Sequence, residues 1–283
     1  MKNHAKLFGI IAFATIIGFL TTACPTDDDG GGGGAPAFLG NKLELSGQVY
    51  LESWNDTNTS VTYSNFGGNL TINDYNGGSG EVRSGRLNYT IETPRNLHHI
   101  DFDDFIWGYD NFQVSPENVN GVTLYSLSVN SDDYWGLSYE NQRMSIRNNS
   151  FSGTYEYVIY VYVENDVTVS GTGKRVTETE DQSTFTTITR NLNLAFKAGW
   201  NAVHGKSEFS GTFTGSMDDP TSYNQTNTET IVLGNPSLRW VLGESDYDDY
   251  SQQLLDMRSL STAPEKGKPG LKIFDRIRRN SLQ

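Results

Sequence analysis

From Leu43 to Leu51 the chain alternates strictly, with Leu43, Leu45, Gly47, Val49 and Leu51 on one side and Glu44, Ser46, Gln48 and Tyr50 on the other. A period of two marks a half-buried strand. The same reading gives shorter strands at Val61–Tyr63 and Asn69–Asn73, then a hairpin turn over Asp74–Gly80, where Asn76-Gly77 supplies positive φ cheaply, and a partner strand from Arg86 to Glu92. Leu97–Phe105 reads as a strand followed by a loop, and Val122–Val129 as one strand with apolar residues on both faces. Tyr134–Ile146 holds another, ended by a turn at Asn148-Asn149. The strongest signal is Thr154–Glu164, with Tyr155, Tyr157, Ile159, Val161 and Val163 on one face and Val158, Tyr160 and Tyr162 on the other. Apolar on both faces, it is expected to be central in its sheet. Val167–Glu178 and Thr184–Phe196 continue the meander, Ala198–Asn201 reads as a turn and Met217–Asn227 as a polar loop, and Glu229–Leu233 and Leu238–Leu242 are the last strands.

Four triplets share the form apolar-Ser-Gly: Leu45-Ser46-Gly47, Phe151-Ser152-Gly153, Val169-Ser170-Gly171 and Phe209-Ser210-Gly211. Two of them extend to Phe-Ser-Gly-Thr-aromatic, at Phe151–Tyr155 and Phe209–Phe213. Glycine inside a strand marks a bulge or bend, so its repeated use predicts a coiled sheet that closes on itself. The expected fold is all-β, an antiparallel meander closing into a sandwich or barrel over residues 40–243. Residues 244–283 are different in kind. Asp246–Leu260 has a modest apolar side of Leu254, Leu255 and Met257, and the tail beyond Ala263 carries six basic residues against two acidic ones. A short helix and a basic terminus are expected there.

The first 24 residues depart from this pattern altogether. Lys2 and Lys6 precede an uncharged apolar run of fourteen residues, Leu7–Leu20. A membrane-spanning helix needs about 20 residues, whereas a run of this length is the core of a secretory signal peptide. It ends in Leu20-Thr21-Thr22-Ala23-Cys24, and Cys24 is the only cysteine in the chain. This segment resembles the lipobox of bacterial lipoproteins, although Thr21 stands where that motif usually has leucine, with Leu20 one position back. The resemblance implies cleavage after Ala23, a signal peptide over residues 1–23, and palmitate-type acyl chains on Cys24 that anchor the protein to a membrane of the bacterial cell envelope. Several acyl chains, at about 0.8 kcal/mol per buried methylene, hold far better than one.

Residues 24–39 then read as a flexible tether, since Pro25–Pro36 contains three consecutive aspartates and five consecutive glycines and has little to bury. Its expected reach is roughly 20 Å. The acidic run beside Cys24 also resembles the signals that route some lipoproteins to the outer surface of the outer membrane. Cleavage removes Lys2 and Lys6 and takes the formal charge from −13 to −15. So acidic a protein would repel phosphates, and nucleic acid is excluded as a partner.

Candidate chemistry is sparse. After His4, which leaves with the signal, the histidines are His98, His99 and His204. Neighbours on a strand point to opposite faces, so His98 and His99 cannot share one metal ion, and neither a metal nor a cofactor is expected. The sequence has none of the short nucleophile, phosphate-loop or dinucleotide motifs. Acidic clusters at Asp101/Asp103/Asp104, Asp218/Asp219 and Asp246/Asp248/Asp249 are the carboxylates that could serve hydrolysis, the first being the catalytic candidate. Three functions follow as expectations. The first is a non-enzymatic envelope module that binds a glycan or an envelope protein through exposed Tyr, Trp and Asn; the others are a carboxylate glycoside hydrolase and a barrel that carries an apolar ligand.

Overall fold

The structure, a computed structural model, describes residues 37–54, 61–74, 76–100, 102, 112–178, 184–215 and 220–244. Ala23, Cys24, the tether up to residue 36, Asp101, Asp103, Asp104, Asp218, Asp219 and the whole of residues 245–283, with the expected helix and basic tail, lie outside the described residues.

Among the described residues the chain is all-β, without a helix. The strands are β1 (Phe38–Gly40), β2 (Leu43–Trp54), β3 (Val61–Asn65), β4 (Leu70–Asn73), β5 (Ser79–Arg83), β6 (Arg86–Ile91), β7 (His98–His99), β8 (Phe112–Ser115), β9 (Asn120–Leu124), β10 (Leu127–Val129), β11 (Tyr134–Arg147), β12 (Ser150–Val163), β13 (Val167–Glu178), β14 (Thr184–Phe196), β15 (Gly199–Gly215), β16 (Pro220–Leu233) and β17 (Arg239–Glu244).

Seven of these close a ring of pairings: β2 with β6, β6 with β5, β5 with β4, β4 with β10, β10 with β11, β11 with β17, and β17 back to β2. The inward positions are those that alternation assigns. Leu43, Leu45 and Val49 on β2, Leu87, Tyr89 and Ile91 on β6, Val82 on β5 and Leu137 and Tyr139 on β11 all join one buried cluster with Trp240 and Leu242 of β17. The interior of this small barrel is filled by side chains, as a ring of only seven strands leaves room for little else. Its base is pinned by Asp74, whose carboxylate accepts hydrogen bonds from the Asn76 and Gly78 amides and from the Tyr89 hydroxyl.

The second half is built on β12. Its even-numbered side chains, Val158 and Tyr160, join the barrel core, while Ile159, Val161 and Val163 enter a second core with Val167, Val169, Leu192, Leu194, Phe196, Val203 and Ile231. β12 thus sits between two cores, with β11 and β9 on one edge and β15 on the other, as its two apolar faces predict. The chain does not hairpin after β12. It crosses at Glu164–Asp166 into the opposing layer, and the Asp166 carboxylate fixes this corner by accepting from Lys197 Nζ at 2.7 Å and the Ala198 amide at 2.9 Å.

The structure departs from the sequence reading at particular places. Two pairings, β14 with β16 and β17 with β2, are parallel, so the sheet is mixed and not a plain antiparallel meander. Ser79 and Gly80, read as the end of the hairpin turn, instead begin β5, a strand inserted between β4 and β6. Only His98–His99 of the expected Leu97–Phe105 strand is paired, against Gly121 and Asn120, while residues 101 and 103–105 are among those not described. Val122–Val129 is two strands broken at Tyr125-Ser126, because β9 pairs with β12 whereas β10 pairs with β11 and β4. Trp200, the second residue of β15, is fully buried in a strand instead of forming a turn, and its indole N–H donates to the Glu92 carbonyl. The polar segment from Pro220 to Asn227, read as loop, is strand, paired with β15 and, from Asn224 on, also with β14.

Candidate functional site

Beyond the barrel, β11, β12, β15 and β16 continue as a long sheet. β11 and β12 are joined through Asn148 and Asn149 at φ 47° and 61°. Two successive left-handed residues are what a two-residue hairpin loop requires if its strands are to keep their twist. Because β-strand side chains alternate, the register fixes which residues share the solvent face here. One row runs Ser145, Ser152, Ser210 and Thr226, and the next Arg147, Ser150, Thr212 and Asn224, all exposed. Strand spacing places neighbours in a row about 4.8 Å apart and successive rows about 7 Å apart.

The two Phe-Ser-Gly-Thr segments are the cause of this surface. They pair with each other, Phe151 opposite Gly211, Ser152 opposite Ser210 and Gly153 opposite Phe209. On the buried face each phenylalanine ring lies over the other segment's glycine: a β-carbon at Gly211 would come within 2.5 Å of the Phe151 ring, and one at Gly153 within 2.6 Å of the Phe209 ring. Register at both glycines is regular, so these two are close-approach sites and not the bulges that sequence predicts. A bulge does occur at the third triplet, between Gly171 and Gly173. The rings cluster with Met144, Tyr155 and Phe213.

Above this aromatic floor lies an open trough of about 400 Å³, lined by Ser145, Arg147, Ser150, Ser152, Ser210 and Thr212 with the backbone of Phe151 and Gly211. Arg143 stands one row back on the same face, opposite Thr154, with Glu208 the next residue in that row. Glu208 is engaged by Lys206 at 3.0 Å, whereas neither Arg143 nor Arg147 has an ion-pair partner among the described residues. The trough therefore offers hydroxyl donors and acceptors with an uncompensated cation.

Where this face meets the barrel, Glu156 and His204 pair at 3.5 Å, both partly buried. Contact with His204, aided by Lys206 and Asn141, holds the Glu156 carboxyl below its usual range against the opposing effect of burial. Asn141 in turn accepts from Arg239 Nη1 at 2.7 Å, and the guanidinium lies 4.9 Å from the Tyr63 ring centre. A carboxyl whose folded pKa is depressed stabilises the fold above its unfolded value and loses that contribution as pH falls through the folded one. Glu156→Gln is accordingly expected to cost less than about 1 kcal/mol near neutrality, as half-exposed pairs do. The difference from the parent protein in urea midpoint should shrink as pH falls below about 4.5, the ordinary glutamate value. A difference that stays constant down to about pH 3 would remove the pair from the account.

The remaining sequence candidates do not assemble into a site among the described residues. His98 and His99 are exposed on the two-residue β7, and no three potential metal ligands come together among the described residues. Trp200 and Trp240 are core residues, as are Tyr89, Tyr139, Tyr155 and Tyr160, whereas Trp135, Tyr50 and Tyr134 are half-buried and Tyr125 is exposed. Ser152 and Ser210 stood in the Phe-Ser-Gly-Thr echo but were not read as site residues, and Arg147, outside the echo, had no signal in the sequence. Compared with family models, curated proteins and solved structures, the chain gives no match.

Proposed function

We propose that this protein is a non-enzymatic lipoprotein of the bacterial cell envelope, anchored in the outer membrane through Cys24, that presents the trough of the β11–β12–β15 face to a glycan ligand. The observation that carries this reading is where the trough lies relative to the start of the fold. β1, the first strand after the tether, pairs with Asn201 and Trp200 at one end of β15, while Ser210 and Thr212 lie near the other. Ten residues of strand separate them, about 33 Å. Together with the reach of roughly 20 Å expected of the tether, this distance supports a trough presented away from a membrane that holds Cys24. An open face of exposed Ser, Thr and Asn suits the hydroxyl-dense surface of a polysaccharide, and the side chains that fill the barrel among the described residues favour this surface over an interior site.

Two experiments test the two halves of the proposal. Metabolic labelling with a radioactive fatty acid should mark the parent protein and not Cys24→Ala, and equal label in both would sink the anchor. A glycan array and an envelope-protein pull-down with residues 37–244, run beside a reducing-sugar release assay, should give glycan binding without turnover. Turnover abolished by replacing Asp101, Asp103 or Asp104 would establish the hydrolase instead.

A further inference from the structure

The chemistry of the trough specifies more than a neutral sugar. Resting on the binding-module reading, we infer that its ligand is an acidic polysaccharide of low charge density, a chain in which neutral sugars alternate with carboxylate-bearing ones. Arg147 lines the trough, and its guanidinium can take a carboxylate through two parallel N–H donors, a geometry that lysine and hydroxyls cannot supply. Among the described residues neither it nor Arg143 has an ion-pair partner, so the charge is available to a ligand.

Spacing and net charge set the density of ligand charge. Arg143 and Arg147 are four residues apart on one face of β11, about 14 Å, with Ser145 between them. Two separated cations divided by hydroxyls match charges that are spread along a chain, and do not match one phosphate group. A formal charge of −13 over the whole protein also opposes any polyanion as dense as a nucleic acid, which carries one charge per about 1.7 Å. A sparse polyanion meets much less of that repulsion, since charges beyond about 8 Å are screened at physiological salt. Ser145, Ser150, Ser152, Ser210 and Thr212 then face the sugar hydroxyls between successive carboxylates.

The test titrates residues 37–244 by calorimetry with hyaluronan oligosaccharides, in which acidic and neutral sugars alternate, with the same oligosaccharides after reduction of their carboxyls to alcohols, and with heparin as a dense polyanion. Binding of the untreated oligosaccharide, weakened at least tenfold by carboxyl reduction and to a similar degree by Arg147→Gln, is the expected result, with heparin weaker. Arg147 is exposed, and circular dichroism of the variant should match that of the parent. If the reduced oligosaccharide binds as well as the acidic one, or Arg147→Gln changes nothing, the acidic-ligand inference fails while the glycan-binding reading stands. Preference for heparin overturns the low charge density, and binding of none of the three overturns the inference. Should the array also show no glycan bound, the binding reading falls with it.

Discussion

Trp240→Ala is expected to destabilise the domain by about 3–5 kcal/mol, the usual cost of emptying a large aromatic site. Against a total stability of about 5–15 kcal/mol, that approaches unfolding for a domain at the lower end. The position explains the size of the effect. Trp240 is 4% exposed and lies where the barrel ring closes, on the three-residue parallel pairing of β17 with β2, opposite Val49. Its ring centre is 4.7 Å from that of Tyr139 and 6.5 Å from that of Tyr160, and its indole N–H donates to the Ser46 carbonyl at 3.3 Å. The Tyr139 hydroxyl, which accepts from the Leu238 amide at 3.0 Å, is set by the same packing. Removing the indole therefore empties a contact shared by β2, β11, β12 and β17. Trp240→Phe should recover most of the loss, leaving about 1 kcal/mol for the missing hydrogen bond and the smaller ring. Urea denaturation with an unchanged m-value measures both, and a loss for Trp240→Ala under about 1 kcal/mol would mean that the ring does not depend on this residue.

How much of this was legible in the sequence differs by segment, for physical reasons. β2 and β12 were readable because burial is decided there by side-chain polarity alone: Leu43, Leu45 and Val49 on one face, and two apolar faces around Val161. The N-terminal half of β16 was not, because its buried face is itself polar. Gln225 and Asn227 are each 2% exposed, with the Asn227 side chain accepting from the Ser207 hydroxyl at 2.5 Å and Gln225 Oε1 without a partner among the described residues, so polarity there marks a buried strand face and not a loop. The break at Tyr125-Ser126 was hidden for another reason. A strand that changes partner need not change composition, and β9 and β10 are separate only because β12 and β11 diverge beneath them.

The candidate site shows the same division. Its repeat was visible as Phe-Ser-Gly-Thr, but its meaning depended on pairing between residues nearly sixty apart, which alternation along one segment cannot report. Once Ser152 faces Ser210 the rest follows, since period two places Ser150 and Thr212 beside them and sends both phenylalanines to the other face. The carboxylates that did stand out, Asp101, Asp103 and Asp104, drew notice as a cluster in sequence. They lie outside the described residues.

Phe209→Ala is the other substitution of large expected effect, about 3–4 kcal/mol, and it acts on both stability and the trough. Phe209 is 3% exposed and covers Gly153, while Phe151 covers Gly211, the two ring centres standing 6.5 Å apart. Glycine contributes no side chain to pack, so the ring from across the strand supplies the apolar cover that the position lacks. Because each ring shields the other's partner strand, Phe151→Ala and Phe209→Ala should be non-additive, with a coupling of roughly 1 kcal/mol or more in a double-mutant cycle. Strict additivity would show that the echo is a sequence coincidence without a shared contact. The surface consequence follows from alternation. Ser152 and Ser210 are the chain neighbours of these residues and point the opposite way, so loosening the aromatic floor shifts the hydroxyl row above it without altering one trough side chain. On the proposed glycan-binding function, the affinity of folded Phe209→Ala, measured at a temperature where it remains native, should fall by several-fold, whereas Trp240→Phe in the barrel should leave it unchanged.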